Sequence, residues 1–320
     1  MHLKRSSDQE LIYQLDGRPS LGVAVPLGLQ HVLAMFTGNL APILIVAGIA
    51  GVPMEERVLM IQCAMLVSGF TTFVQLYPIK FGNKFQIGAG LPIVMGTAFA
   101  FVPTLSTIAA AYGLPAVFGG ILVGAIVAFA AVYIVSGLET LGNTSGITMA
   151  AFNREATASE NSGALLADAI GSQLAGLFNC MPNTAFGQNA GIIAMTKVVN
   201  KFCIATGAAV LVLASVMPKV GAIFAALPSS VLGGAVITVF GMILVNGFKM
   251  IAQAGFSEGN VKVLSITFAV GYGLTAVTEI IGKFPTFLQF VFGDAVASVC
   301  IVGMVTNIAF NLIGKKKQTR

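Results

Sequence analysis

The chain has 320 residues, of which 56% are hydrophobic and 9% charged, and its mean hydropathy is +0.91. No soluble domain sustains this composition over such a length, so the sequence predicts an all-α polytopic membrane protein. The formal net charge of +5 comes with no patch of basic and aromatic residues. It therefore predicts no nucleic-acid partner, and we attribute the charge to membrane topology.

Apolar stretches long enough to cross a bilayer recur along the chain and predict about ten transmembrane segments. The polar lead 1–20 predicts a cytoplasmic N-terminus without a cleavable signal peptide, and the basic residues 315–320 predict a cytoplasmic tail. With this topology most Lys and Arg residues fall on the inner side, as in proteins of the inner or plasma membrane. Continuous spans are predicted near 26–50, 58–79, 163–181, 203–218, 229–248, 263–281 and 292–314.

Two hydrophobic segments, 85–106 and 182–197, are interrupted by glycine and proline, and both contain Thr-Ala-Phe. Broken backbone inside a bilayer is tolerated only where protein or a wet cavity surrounds it. Paired interrupted segments in two halves of a chain indicate the binding site of a secondary transporter, and two extended pieces could pair their backbones. The alternative is a kinked helix whose amide side chains hold neighbouring helices together.

Polar side chains within the predicted spans are candidates for this site. Gln188 and Asn189 lie where a half-helix is predicted to begin, and their amides suit the edge of a neutral heterocycle. Glu139 and Asn143 are four residues apart and share one helix face. A carboxylate or an imidazole within a span, such as Asp168 or His31, is by default a functional candidate. The alternatives are an ion pair for the carboxylate and a satisfied core histidine for His31.

Motifs of the common enzyme classes are absent, including HExxH, the P-loop, the nucleophile elbow and the dinucleotide fingerprint. The four cysteines are scattered and there are two histidines, so neither a metal site nor a cofactor is expected. An enzyme would need a nucleophile–base pair, and a channel would not need a carboxylate poised for protonation. The sequence therefore favours a transporter.

The signature Gln188-Asn189-Ala190-Gly191, followed by Thr196-Lys197, resembles that of the nucleobase–ascorbate transporters, also called nucleobase:cation symporter-2. Three further pieces resemble the first, eighth and ninth spans of that family in the right order. The resemblance covers residues from about 20 to 315. The three pieces are Gln30-His31, Glu139-Thr140-Leu141-Gly142 and Leu166-Ala167-Asp168.

The resemblance implies two inverted seven-span repeats, arranged as a core and a gate domain, with short strands of the third and tenth segments paired at mid-membrane. It implies a proton symporter that binds a nucleobase, lies in the lipid bilayer and has the option of a homodimer. Gln at the first signature position favours xanthine or uric acid, with uracil as the alternative. The implied binding groups are Glu139, Gln188, Asn189, Gly187 and the backbone near Ala98 and Phe99, and the implied coupling or supporting groups are Asp168, His31, Asn143 and Thr196.

The chain departs from the family pattern in two respects. Asn143 stands where the family often has Asp, which removes a second carboxylate from the face of Glu139. The run 116–151 looks like a fourth span fused to the eighth near Ala125, so that spans five to seven are missing. We accordingly expect a core domain over 21–220 and half a gate domain over 221–314. A truncated homologue that binds a nucleobase without transporting it is the rival hypothesis.

Overall fold

The computed structural model describes residues 8–82, 85–123, 130–277, 281–293 and 295–313. These residues are mostly helical and divide into two compact units. The first unit comprises 1–122 and 137–244, and the second comprises 123–136 and 245–320. Ala125, the predicted fusion point, lies outside the described residues.

The first unit contains the helices that surround the interrupted segments. In chain order they are α1 (Asp8–Leu11), α2 (Leu21–Ile49), α3 (Met54–Leu76), α4 (Val102–Tyr112), α5 (Leu114–Val123), α6 (Ala130–Phe152), α7 (Ala158–Leu177), α8 (Gly187–Thr196), α9 (Lys201–Ser215), α10 (Pro218–Ala225) and α11 (Ser229–Ala254), of which α5, α6 and α11 extend into the second unit. The centre of the unit is formed by α2, α3 and α9, which pack against one another.

The second unit is built around one helix, α15, which packs against α12, α14 and the π-helical segment Thr267–Tyr272. Its chain continues as π-helix from Ile308 to Ile313. The helices of this unit are α12 (Glu258–Ile266), α13 (Gly273–Ala276), α14 (Thr286–Gly293) and α15 (Ala295–Asn307).

Two helices, α2 and α3, are each long and apolar enough to cross a membrane among the residues that the structure describes. The pair α9 and α10 would make a third span if taken together, although the two helices meet at an angle of 89°. The break falls before Pro218, which has no N–H to donate and stands at the start of α10. The count of about ten crossings stays a prediction.

The two interrupted segments meet in a short antiparallel ribbon. Strand β3 (Met95–Thr97) pairs with β4 (Asn183–Ala185), with Gly96 opposite Thr184. Two backbone hydrogen bonds extend the ladder, from Ala98 N to Pro182 O at 2.8 Å and from Phe186 N to Val94 O at 2.9 Å. The polar backbone of both broken segments is thereby satisfied without a continuous helix.

Buried amides and hydroxyls hold the β3 side of this ribbon. The Asn39 side-chain oxygen on α2 accepts from the Thr97 backbone N–H at 2.7 Å, from the Thr97 hydroxyl at 2.9 Å and from the Ser68 hydroxyl at 3.1 Å. The Thr72 hydroxyl on α3 accepts from the Met95 N–H at 2.9 Å. A buried carbonyl with several donors is well satisfied, so these contacts fix the position of β3.

A second set of polar side chains holds β4. The Asn183 side chain donates from Nδ2 to the Thr71 hydroxyl at 2.6 Å. The Ser172 hydroxyl on α7 donates to the Asn183 carbonyl at 2.9 Å and accepts from the Asn183 N–H at 3.1 Å. Helices α3 and α7 therefore anchor β4 as α2 and α3 anchor β3.

Close packing against glycine positions the helices around the ribbon. A Cβ on Gly28 of α2 would lie 2.4 Å from the Cys203 carbonyl, and one on Gly207 of α9 would lie 2.5 Å from the Gly28 carbonyl, so the two backbones are in direct contact. The Phe186 ring lies between Gly38 and Gly96, where an added Cβ would come within 2.6 Å and 2.4 Å of ring carbons. Only glycine leaves room for these approaches.

Two features were not predicted. A small exposed hairpin joins β1 (Ile79–Phe81) to β2 (Phe85–Ile87). Residues 8–20, the N-terminal strap, are tied to the loop between α8 and α9 by the Asn200 side chain. Its Nδ2 lies 3.0, 3.1 and 3.4 Å from the carbonyls of Leu11, Gln14 and Gly17. The Lys201 ammonium also pairs with Asp16 at 2.5 Å.

Candidate functional site

Helix α8 begins directly after β4, so its first turn lies at the end of the paired ribbon. Its N-cap residue is Phe186, in extended conformation, and no side chain caps this helix end among the described residues. The N–H groups of Gly187 and Gln188 have no intrahelical acceptor at this position. The positive end of the helix dipole and two free donors therefore accompany the Gln188 amide.

The Gln188 side chain is partly buried and makes no hydrogen bond within the described ranges. An amide offers two N–H donors and a carbonyl acceptor. Here all of them are open to a ligand. The arrangement suits a flat ring that carries N–H and C=O groups along one edge.

Helix α6 brings the predicted carboxylate to the same ribbon. Asn143 donates from Nδ2 to the Ala185 carbonyl at the end of β4, at 2.8 Å. The Thr140 and Thr184 hydroxyls lie 3.4 Å apart and add a second contact between α6 and β4. Glu139 lies one turn before Asn143 on this helix and is partly buried. Its carboxylate forms no hydrogen bond or ion pair with any residue that the structure describes.

His31 and Asn189 are joined across α2 and α8. The Asn189 side-chain nitrogen lies 3.0 Å from His31 Nδ1 and 3.0 Å from the His31 backbone carbonyl. Both residues are buried, with His31 at 3% exposure and Asn189 at 0%. The pair therefore connects the first turn of α8 to the middle of α2.

The remaining predicted site residues occupy two different surroundings. Ala98 is buried and ends the β3 ladder, and the partly buried Phe99 starts a 3₁₀ turn, Phe99–Phe101, whose N-cap has no side-chain cap in the described part of the chain. Asp168 is buried on α7, one turn before Ser172, which holds β4. These positions place a carboxyl group close to the ribbon in sequence and on the helix that anchors it.

Thr196 stands apart from the other predicted residues. Its hydroxyl donates to the Ile192 carbonyl at 2.9 Å and accepts from the Val198 N–H at 3.3 Å. It lies at the last residue of α8, two turns beyond Gln188. The structure therefore places Thr196 at the C-terminal end of the helix, while Gln188 and Asn189 lie at its start.

Sequence reasoning missed the side chains that support the site. Asn39, Thr71 and Ser172 bind ribbon backbone or Asn183, and the Phe186 ring fills the glycine slot. The repeated Thr-Ala-Phe could have indicated Phe186, because it ends that motif in the second segment. Among the residues that the structure describes, no three His, Cys, Asp or Glu residues cluster as metal ligands.

Comparison with known proteins gives a consistent set of matches. The family model Xan_ur_permease, described as the Permease family, matches residues 22–130 and 122–280. Xanthine permease of Bacillus subtilis (strain 168) is 22% identical over 428 residues, covering 94% of this chain and 97% of that protein. The putative purine permease CPE0397 of Clostridium perfringens is 30% identical, covering 57% of this chain and 40% of that protein. Uric acid permease PucJ of B. subtilis is 31% identical, covering 48% and 34% respectively.

These matches also locate a discontinuity. The alignment with xanthine permease runs over 428 residues, whereas this chain has 320, so a long stretch of that relative has no counterpart here. The two matches to the family model meet at 122–130. The matches to CPE0397 and PucJ are partial, each covering less than half of the relative's own length.

Proposed function

Because the chain belongs to the Permease family, we propose that it is a proton-coupled secondary transporter of nucleobases, with xanthine or uric acid as substrate. The match to the family model across 22–130 and 122–280 supports membership and a membrane-embedded transport protein. The relatives named as xanthine and uric acid permeases support a purine substrate. We place both termini in the cytoplasm, on the strength of the distribution of basic residues.

The observation that carries this proposal is the pair of open polar groups, Glu139 and Gln188, on the two helices attached to β4. In the proposed complex the Glu139 carboxylate accepts hydrogen bonds from ring N–H groups. The Gln188 amide and the free N–H groups of α8 bind ring carbonyls. Hydrogen bonds to charged groups contribute more than neutral ones, so Glu139 supplies the stronger part of the affinity.

Proton coupling is assigned to a carboxyl group near the ribbon. Asp168 or Glu139 takes up a proton from outside, which offsets its charge while the loaded site reorients. Uptake should then rise with outside acidity and collapse when a protonophore dissipates the gradient. A rate that is unchanged by both treatments would remove the coupling from the proposal.

The second candidate function is nucleobase binding without transport. It is favoured by the length of the alignment with xanthine permease and by the two family matches that meet at 122–130. In this reading the chain lacks the equivalent of spans five to seven, and the gate domain is halved. Alternating access requires one body to move against another, so loss of half a body would spare binding and stop translocation.

The experiment that tests the proposal measures binding and uptake with the same protein preparation. Purified chain is assayed for equilibrium binding of radiolabelled xanthine, uric acid and uracil, and then for their uptake after reconstitution into liposomes. Saturable purine binding with gradient-driven uptake supports the transporter. Binding without uptake identifies the second candidate, and binding of none of the three bases contradicts both.

A further inference from the structure

The contact between Asn189 and His31 has a chemical consequence for the imidazole. The Asn189 side-chain nitrogen lies 3.0 Å from two atoms of the same residue, the backbone carbonyl oxygen and ring atom Nδ1. A carbonyl oxygen can only accept a hydrogen bond. The amide must therefore present its NH₂ group there, and the opposite orientation would set two oxygens against each other.

The orientation of the amide determines where the imidazole carries its proton. One N–H of Asn189 points to the His31 carbonyl and the other to Nδ1, so Nδ1 must accept and has no proton. The ring is then neutral with its proton on Nε2. A proton on Nδ1 would place two N–H donors against each other at 3.0 Å.

The Asn189 side chain is committed to this task alone. Its Oδ1 is buried and has no hydrogen-bond partner within the described part of the chain. Both of its donors are used on His31, and the residue has 0% exposure. A fully buried amide that leaves its own acceptor unsatisfied is an uncommon arrangement, and it indicates that the donors are what the site requires.

We propose that Asn189 is a positioning residue that fixes His31 as the neutral Nε2–H tautomer, so that the imidazole can only donate, from Nε2, beside the nucleobase site. Nε2 has no hydrogen-bond partner among the described residues, which leaves this donor available to a carbonyl oxygen of the base or to a water bound between them. The inference deepens the proposed function, because it assigns the adjacent Gln188 and Glu139 to the base.

The tautomer can be observed directly because the sequence contains only two histidines, His2 and His31. In a His2→Gln background, ¹⁵N-labelled histidine reports His31 alone by NMR. The expected spectrum at neutral pH has one unprotonated nitrogen, Nδ1, and one protonated nitrogen, Nε2. A protonated Nδ1, or a mixture of the two tautomers, would overturn the proposal.

Asn189→Asp supplies the decisive variant, since it keeps the size of the side chain and replaces the donors by oxygen. The new oxygen can be satisfied only by a proton on Nδ1, so the Nδ1 resonance should move to its protonated position. Asn153→Asp, on an exposed loop, is the matched control and should leave the His31 spectrum unchanged. An unchanged spectrum in Asn189→Asp would refute the assignment.

A second measurement needs no substitution at Asn189 and covers the case in which that variant does not fold. With ¹⁵N-labelled asparagine and histidine, a through-space correlation should connect Asn189 Nδ2 to an unprotonated His31 Nδ1, and its absence would contradict the proposal. Binding assays then report the effect on the site. We expect a roughly tenfold loss of purine affinity in Asn189→Asp and none in Asn153→Asp. Since the spectra do not depend on transport, failure of the proposed function and failure of the tautomer assignment are separate results.

Discussion

At the scale of single residues, the carboxylate at position 139 is the group whose loss should matter most. Glu139 lies on the same face of α6 as Asn143, which binds the end of β4, and it has no partner of its own in the described residues. Replacing it by Gln keeps the shape of the side chain and removes the charge. We expect purine affinity to fall by roughly 10- to 100-fold in Glu139→Gln, as for a charged hydrogen bond, in an equilibrium binding assay.

The control for this substitution is Glu155→Gln, which makes the same chemical change at an exposed position outside the site. It should bind as the parent does. Retention of parental affinity by Glu139→Gln would exclude the carboxylate as a contact to the base.

The Phe186 slot makes a second prediction about individual residues. A Cβ at Gly38 would lie 2.6 Å from the Phe186 ring, which must then shift and carry the start of α8 with it. We expect Gly38→Ala to lower the free energy of unfolding by about 1–3 kcal/mol, as for overpacking, and to weaken purine binding. Thermal unfolding and binding would measure the two effects.

Gly48→Ala is the matched control on the same helix, because the described residues place nothing within 4 Å of a Cβ at that position. Its stability should match or slightly exceed that of the parent, since alanine favours helix over glycine. Equal behaviour of the two variants would show that the Phe186 ring has room to move.

The sequence predicted the open groups of the site more readily than the residues that hold them. Glu139, Gln188 and Asn189 are expensive or unusual in an apolar span, so their chemistry alone singles them out. Asn39 and Thr71 contact partners far away in sequence, Thr97 and Asn183, and no local pattern gives such pairings. Thr196 matched a signature, yet its contacts are confined to the last turn of α8 and the following loop.

At the scale of elements, the N-terminal strap depends on one asparagine. Asn200 caps α9 through Oδ1, which accepts from the Phe202 and Cys203 N–H groups, and it holds the strap through Nδ2. Asn200→Asp retains the capping oxygen and places a second oxygen against the strap carbonyls. We expect faster hydrogen exchange over residues 8–20 with little change in α9, measured by mass spectrometry.

Asn153→Asp again provides a control, because it introduces the same charge on an exposed loop. Unchanged exchange of the strap in Asn200→Asp would mean that the backbone bonds from Val199 and Lys201 suffice to hold it.

The start of α7 carries a capping box that responds to pH. The Glu160 carboxylate accepts from Arg154 at 2.6 Å and from the Thr157 N–H at 2.8 Å. The Arg154 hydrogen bonds, followed by those of Thr157, lower the pKa of Glu160 to about 2. A depressed pKa stabilises the fold above the ordinary value near 4.5, and this contribution is lost as the pH falls toward 2.

We therefore expect Glu160→Gln to lower the free energy of unfolding by about 1 kcal/mol at pH 7, because it weakens the cap and the exposed ion pair. The difference in Tm between parent and variant should stay constant above about pH 5 and shrink toward pH 3. A difference that grows on acidification would contradict the assigned role of the carboxylate.

Several elements could be predicted from local patterns. The strand pairing followed from two Thr-Ala-Phe segments in an apolar chain, where unpaired backbone is not tolerated. The capping signature of α7, Thr157 to Glu160, is also legible, although the span was predicted to begin five residues beyond the first residue of the helix. The strap was not foreseen, because its bonds join residues more than 180 positions apart.

At the scale of the whole molecule, the stretch that is absent relative to xanthine permease concerns translocation more than binding. Every predicted site residue lies within the first unit. We expect a chain in which the corresponding stretch of B. subtilis xanthine permease is inserted at residues 122–130 to bind purine as the parent does and to take it up faster. Liposome uptake and equilibrium binding would measure this.

A scrambled insert of equal length is the control, and it should not raise uptake. Equal uptake by the parent and the refilled chain would show that the shorter chain already contains every moving part that transport needs.

The contact between Gly28 and Gly207 limits what can move inside the first unit. With a carbonyl of each helix against the other's backbone, α2 and α9 have no side-chain cushion over which one could slide or roll past the other. The two helices thus behave as a single strut, and His31 travels wherever that strut goes. Any rearrangement of the pocket must be absorbed by its neighbours, so a bulkier residue at either glycine would pry the strut apart before it touched a ligand.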